Sequence, residues 1–156
     1  MAGRVLRAGL LVGLFLNAFG WLGNVFLLGP MWREAFTGLP TTPWRESPWR
    51  DVVSFVPDFL YGIAICWLYV ALLPRYGASV RTALRASALV FVVGALTTYL
   101  GIANSGLLPW RISLATTLLA FVVFVPGAWL THRVLRSAGS AGAGRSVRPP
   151  GDRLIP

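Results

Sequence analysis

The sequence predicts an all-α integral membrane protein, a bundle of four transmembrane helices followed by a disordered C-terminal tail. Three observations carry this reading. Of the 156 residues, 56% are hydrophobic and only 12% are charged, whereas a soluble domain carries about 25% charged residues. The apolar residues gather into four runs, each close to the roughly 20 residues a helix needs to cross a hydrocarbon core. The net charge of +9 comes from 14 basic residues, all arginine, against 5 acidic ones. These arginines lie between the apolar runs or in the tail, the pattern of a topology signal and not of a nucleic-acid-binding surface.

The first run extends from Val5 to Leu28. Ala18-Phe19-Gly20 loosely resembles a small-x-small cleavage site, so a cleaved signal peptide is the rival reading. The run nevertheless continues through Trp21 to Leu28, longer than a signal core, and an uncleaved helix is expected. Asn17 and Asn24 share a stripe with Gly13 and Gly20, a spacing that places them on one helical face. Small residues let helix backbones approach and asparagine bonds across helices. Gly13, Asn17 and Gly20 are therefore expected to pack against protein, with Gly94 and Gly101 doing the same on the third run.

Residues 29–51 form the longest internal connection. Pro30, Pro40, Pro43 and Pro48 break any long helix there. A short helix over Trp32 to Phe36 is expected. Trp32, Trp44 and Trp49 suit the membrane interface, where an indole meets both apolar and polar surroundings.

The second run spans Val52 to Leu73, with Pro74 and Arg75 expected to end it and Pro57 near its start. Asp58, Gly62, Ile65 and Tyr69 fall on one face. The third run spans Leu84 to Ala103. Asn104, Ser105 and Gly106 form a turn, and Pro109 opens the fourth run, which ends near Leu130. This divides the chain into a transmembrane domain at 1–136 and a basic tail at 137–156, rich in Gly, Ser, Pro and Arg.

Arg4, Arg7, Arg75, Arg81, Arg85, Arg133, Arg136, Arg145, Arg148 and Arg153 fall on one side of this arrangement. Arg33, Arg45, Arg50 and Arg111 fall on the other, where Glu34, Glu46 and Asp51 offset three of them. The positive-inside rule then places both termini in the cytoplasm of a multi-pass protein of the cell inner membrane. Anionic lipid headgroups are the simplest partners for the cytoplasmic arginines. A second copy of the chain or another membrane protein is the other partner class, and no nucleic acid is expected.

Asp58 is the only carboxylate inside an apolar run. A charge there is costly unless it is paired, hydrated or protonated. One reading makes it a helix N-terminal carboxylate just after Pro57, satisfied by free amides. A second pairs it with Arg111, which opens the fourth run on the same side of the membrane. A third makes it part of an outward polar site with Asn24, Tyr61, Asn104 and Arg111.

No Walker glycine loop, HExxH or GxSxG motif is present. With one cysteine, Cys66, and one histidine, His132, neither haem attachment nor a zinc site can be built within the chain. No cofactor or metal is expected. Cys66 is read as a small apolar filler and His132 as an interfacial or capping residue.

The segments LFLNAFG, FLYGIAICWLYVALLPRYG and VRTALRASALVF, with a compact hairpin and a short basic tail, resemble small bacterial four-span membrane proteins of uncharacterised function. The resemblance covers residues 5–136 and implies the fold alone. Small multidrug-resistance transporters are of similar size but carry a glutamate in the middle of their first span, where this chain has Asn17.

Three functions compete. The leading one is a non-enzymatic accessory or structural membrane protein acting through protein or lipid contacts. The alternative is an oligomeric small-solute transporter or channel with an outward site around Asp58 and Arg111. The third is a lipid-directed enzyme with Asp58 as base. An open polar cavity would favour the transporter, a sealed bundle the accessory protein.

Overall fold

A computed structural model describes residues 2–37, 47, 49–106 and 108–143. It is an all-α bundle. Helix α1 covers Ala2–Phe26, α2 Gly29–Phe36 and α3 Trp49–Tyr76. Helix α4 covers Val80–Val90 and passes through a π-helical segment, Phe91–Leu96, into α5, Thr97–Asn104. Helix α6 covers Trp110–Ala143. Four continuous stretches are long and apolar enough to cross a membrane: Ala2–Phe26, Val52–Tyr76, Val80–Asn104 and Trp110–Ser137.

Each span packs on the next, and α6 closes back onto α1. The pairs Gly9 with Ile63 and Gly13 with Phe59 run antiparallel, as do Gly23 with Leu119 and Gly127 with Leu16. This up-and-down order places Arg4, Arg7, Arg75, Arg81, Arg85, Arg133 and Arg136 at one end of the bundle. Helix α2 and the turn before α6 lie at the other. The outer surface is apolar, with Phe26, Val93 and Trp67 between 66% and 73% exposed. In water such a surface would aggregate, whereas in a bilayer it meets lipid.

The tightest contact is between α1 and α3. A Cβ at Gly9 would sit 2.5 Å from the Ile63 Cα, and one at Gly13 would sit 2.6 Å from the Phe59 Cα. A Cβ at Gly62 would collide with the backbone of Gly13 and Gly9. The three glycines let the two backbones touch, which maximises dispersion contact where no hydrophobic effect drives association. Around this crossing lies a core of Val5, Ala8, Val12, Leu16, Ile65, Cys66, Phe91, Ala95, Val123 and Phe124. The first half of α1 is thus integral to the bundle. A smaller layer of Tyr69, Ala83, Ala86 and Ala128 closes the arginine-rich end. The α3 face carrying Gly62, Ile65 and Tyr69 is buried as its spacing predicts.

Gly20 and Gly101 depart from the packing expectation, because a Cβ at either would meet nothing within 4 Å. Gly94 does pack, with its missing Cβ leaving room for the Tyr61 ring.

Several helix ends also differ. Pro74 does not end α3, which continues through Tyr76. Proline costs one amide bond, and the last turn is closed by the Gly77 amide donating to the Leu73 carbonyl at 2.9 Å, with Gly77 at φ 71. The third span begins at Val80, well before Leu84, because the Ser79 hydroxyl caps it by accepting from the Thr82 amide at 3.2 Å. Helix α6 runs on past 136 to Ala143, so His132 lies inside it and not at its cap. The tail beyond residue 143 lies outside the described residues, as does the stretch 38–46.

These packing differences predict opposite outcomes for two similar changes. Gly62→Leu should destabilise the detergent-solubilised protein by at least about 1–3 kcal/mol, the range for overpacking a filled contact. Gly20→Leu should leave the melting temperature unchanged or raise it. Thermal unfolding of both variants checks this, and an equal loss in both would contradict the packing described.

Candidate functional site

Beyond the Gly13 crossing, toward the α2 end, the bundle is not filled. A partly open cavity of about 670 Å³ lies between the four spans, and Trp32 and Phe36 of α2 line it as well. Leu16, Val123 and Phe124 belong both to its wall and to the closed core, so they form its floor.

Each span contributes through its own local chemistry. On α1, Asn17, Gly20, Trp21 and Asn24 face the cavity. The Asn17 amide donates to the Phe55 carbonyl at 3.5 Å, a bridge to α3. The open space beside Gly20 is part of the cavity, which explains why nothing packs on it. Asn24 donates to the Gly20 carbonyl at 2.9 Å, and its own carbonyl oxygen accepts from the Trp32 indole N–H at 2.9 Å. Trp32 in turn stacks on Phe36 with ring centroids 5.4 Å apart. This latch fixes the short α2 over the cavity. A helix of two turns is marginal alone, so a tertiary contact of this kind positions it.

On the third span the π-helical segment supplies the wall. Its wide turn places Phe91 and Ala95 in the core, and Thr98 and Tyr99, just beyond it, line the cavity. Thr98 and Thr97 both donate to the Gly94 carbonyl, at 2.8 and 3.1 Å, satisfying a carbonyl at the disturbed turn. On α6 the Thr116 hydroxyl lines the cavity and donates to the Ile112 carbonyl at 2.6 Å.

Helix α3 brings Phe55, Asp58 and Tyr61. Asp58 sits well inside α3, which starts at Trp49. Its neighbouring amides are already used in helix bonds, so it is not an N-terminal cap. Among the described residues no hydrogen bond or ion pair reaches its carboxylate. The expected pair with Arg111 is not formed. Arg111 is exposed and lies outside the cavity wall. Tyr61 meets Phe124, Cys66 meets Thr131 and Tyr69 meets His132, a register that sets Arg111 about three helical turns nearer the α2 end than Asp58. Asn104 is likewise exposed and outside the wall. Of the sequence-selected site residues, the cavity thus gathers Asn24, Asp58 and Tyr61, and leaves out Asn104 and Arg111.

Among the described residues no basic side chain lines the cavity, and Asp58 is the one charged residue of its wall. The rest of the wall is aromatic, amide or hydroxyl. No group of three or more His, Cys, Asp or Glu residues that could hold a metal occurs among the described residues.

A second polar cluster closes the opposite end. The Tyr69 hydroxyl and the His132 Nδ1 are 2.9 Å apart, and Thr131 donates to the Gly127 carbonyl at 2.9 Å beside Cys66. The single histidine and the single cysteine are both taken up by packing between α3 and α6. The sequence does not disclose the Tyr69–His132 contact, which depends on how two helices distant in sequence face each other.

Two consequences can be measured. Asp58→Asn and Arg111→Gln should have additive effects on thermal unfolding, because the side chains do not touch; a coupling energy clearly above error would restore the ion pair. Trp32→Phe should cost about 1 kcal/mol through the lost indole bond and raise amide hydrogen exchange in α2 without changing exchange in α1. Unchanged α2 exchange would show that the latch does not hold that helix.

No family model matches this chain, and neither a curated protein nor a solved structure is similar enough to match it. The site is therefore described by its own geometry: an aromatic cavity with one unpaired carboxylate, set in one half of a four-span membrane bundle.

Proposed function

We propose that the chain is a small-solute carrier whose binding site is the cavity around Asp58. The observation that supports this reading is the asymmetry of the bundle. One half contains a partly open cavity with an unpartnered carboxylate, while the other is sealed by Ile65, Cys66, Tyr69 and their neighbours. A continuous pore would suit a channel. A partly open site that does not continue through the sealed half suits alternating access. An intramembrane ionisable residue is by default a functional group, and here no structural partner accounts for it. An accessory protein acting only through its outer surface would leave both the cavity and its charge without use.

The orientation belongs to the same proposal. The arginines gathered at the closed end support a cytoplasmic closed end and an external α2 end. Arg85 stacks 4.5 Å from the Tyr76 ring centroid and Arg133 stacks 5.1 Å from Trp129, an arrangement suited to a headgroup layer containing anionic lipids. Association of several copies through the apolar outer surface remains compatible with a carrier of this size.

Accessibility from each face tests the reading. In a Cys66→Ala background, Thr98→Cys should react with a membrane-impermeant maleimide in intact cells and remain unreactive from the cytoplasmic face of inverted vesicles. Equal labelling from both faces, or none from either, would contradict an outward-open site.

A further inference from the structure

We infer that the ligand of this cavity is an organic cation, an ammonium or other onium group carried on an aromatic or branched apolar body. The inference rests on the solute-binding reading above and adds the ligand's charge and shape.

Charge is the first argument. Asp58 is a carboxylate on the wall with no hydrogen bond or ion pair among the described residues, and no arginine or histidine lines the same cavity among them. A fixed anion in a low-dielectric site attracts a cation strongly and repels an anion. An anionic solute would need the counter-charge that Arg111 does not supply.

Hydrogen-bond polarity is the second. The wall's hydroxyl and amide donors are largely engaged by backbone: Thr98 to Gly94, Thr116 to Ile112, Asn17 to Phe55 and Asn24 to Gly20. The two threonines have thus spent their single O–H on backbone and face a ligand as acceptors. The Asn17 and Asn24 amides each keep a second N–H, and the Tyr61 and Tyr99 hydroxyls can donate or accept, so the wall solvates the polar part of a ligand while Asp58 sets the sign of its charge.

Surface is the third. Trp21, Trp32, Tyr61, Tyr99 and Phe124 present rings to the same space. Aromatic faces attract onium groups through their quadrupole and cover an apolar body equally well. The volume of about 670 Å³ lies within the usual range for small-molecule sites. A transition-metal ion is a poor fit, because among the described residues no second His, Cys, Asp or Glu lines the cavity beside Asp58.

Three probes of similar shape and different charge test the inference on the full chain in lipid nanodiscs, with empty nanodiscs as the partitioning blank. They are tetraphenylphosphonium, neutral triphenylphosphine oxide and tetraphenylborate. The cation should bind saturably, the neutral probe at least about tenfold more weakly, and the anion not above the blank. Asp58→Asn should weaken the cation at least about tenfold, the order expected when a partly buried counter-charge is removed, and leave the neutral probe unchanged. Should Asp58→Asn fold poorly, Asp58→Glu, which keeps the charge, and the charge series on the unaltered protein decide. Gly20→Leu, which intrudes on the cavity, should weaken binding of every probe. If neutral and cationic probes bind equally, or Asp58→Asn leaves cation affinity intact, the cation assignment is wrong while the solute site stands. Cation binding that survives Gly20→Leu at full affinity would place it elsewhere and overturn the assignment. Binding of no probe at all would overturn the assignment and the carrier reading together.

Discussion

The structure depends on one close approach, the contact of α1 and α3 through Gly9, Gly13 and Gly62. In a bilayer, helices gain little from removing apolar surface from solvent, since lipid is as apolar as leucine. Association rests on dispersion, which falls off steeply with distance. Three missing side chains let the two backbones meet, and the core from Val5 to Leu16 and from Ile65 to Phe124 assembles around that meeting. Past Gly13 the backbone-to-backbone contacts of α1 with α3 stop, although Gly23 still packs on the Leu119 side chain of α6. Gly20 faces empty space, and the interior opens into a cavity. Closure of one half and openness of the other are thus two outcomes of where the glycines meet.

That division organises the polar groups. At the closed end, polar side chains have partners: Tyr69 with His132, Ser87 with the Phe124 carbonyl at 3.0 Å, and Thr82 with the Gly77 carbonyl at 2.8 Å. At the open end a carboxylate is left without one. A buried charge is tolerated when it is paired or hydrated, and a cavity open to one side supplies the second condition. Helix α2, held by the bond between Trp32 and Asn24, adds Trp32 and Phe36 to the cavity wall.

Much of the fold is legible in the sequence. Hydropathy marks the four spans, since hydrocarbon allows few other solutions for an apolar run of that length. The α3 face from Asp58 through Gly62 and Ile65 to Tyr69 follows from helical spacing alone. Its neighbours do not. Asp58 and Arg111 both open toward the same side of the membrane in sequence, but the α3–α6 register that brings Tyr61 to Phe124 and Tyr69 to His132 sets them about three helical turns apart along the bundle. Gly13 and Gly20 lie on one stripe and look equivalent, yet only Gly13 meets another backbone. The π-helical turn at Phe91–Leu96 has no hydropathy signal. The Gly94, Thr97 and Thr98 cluster is its nearest trace, legible only once threonine back-bonding is considered. The cavity itself is a property of four helices together, and no single segment announces it.

Hydroxyl-radical footprinting of the unaltered protein in nanodiscs tests the half-open bundle most directly, because it reports water contact without substitution. Three tyrosines provide an internal comparison within the spans. Tyr61 and Tyr99 line the cavity, whereas Tyr69 is 2% exposed in the closed half. Oxidation of Tyr61 and Tyr99 should lie well above that of Tyr69. Protection of all three to the same degree, or preferential oxidation of Tyr69, would contradict the half-open bundle.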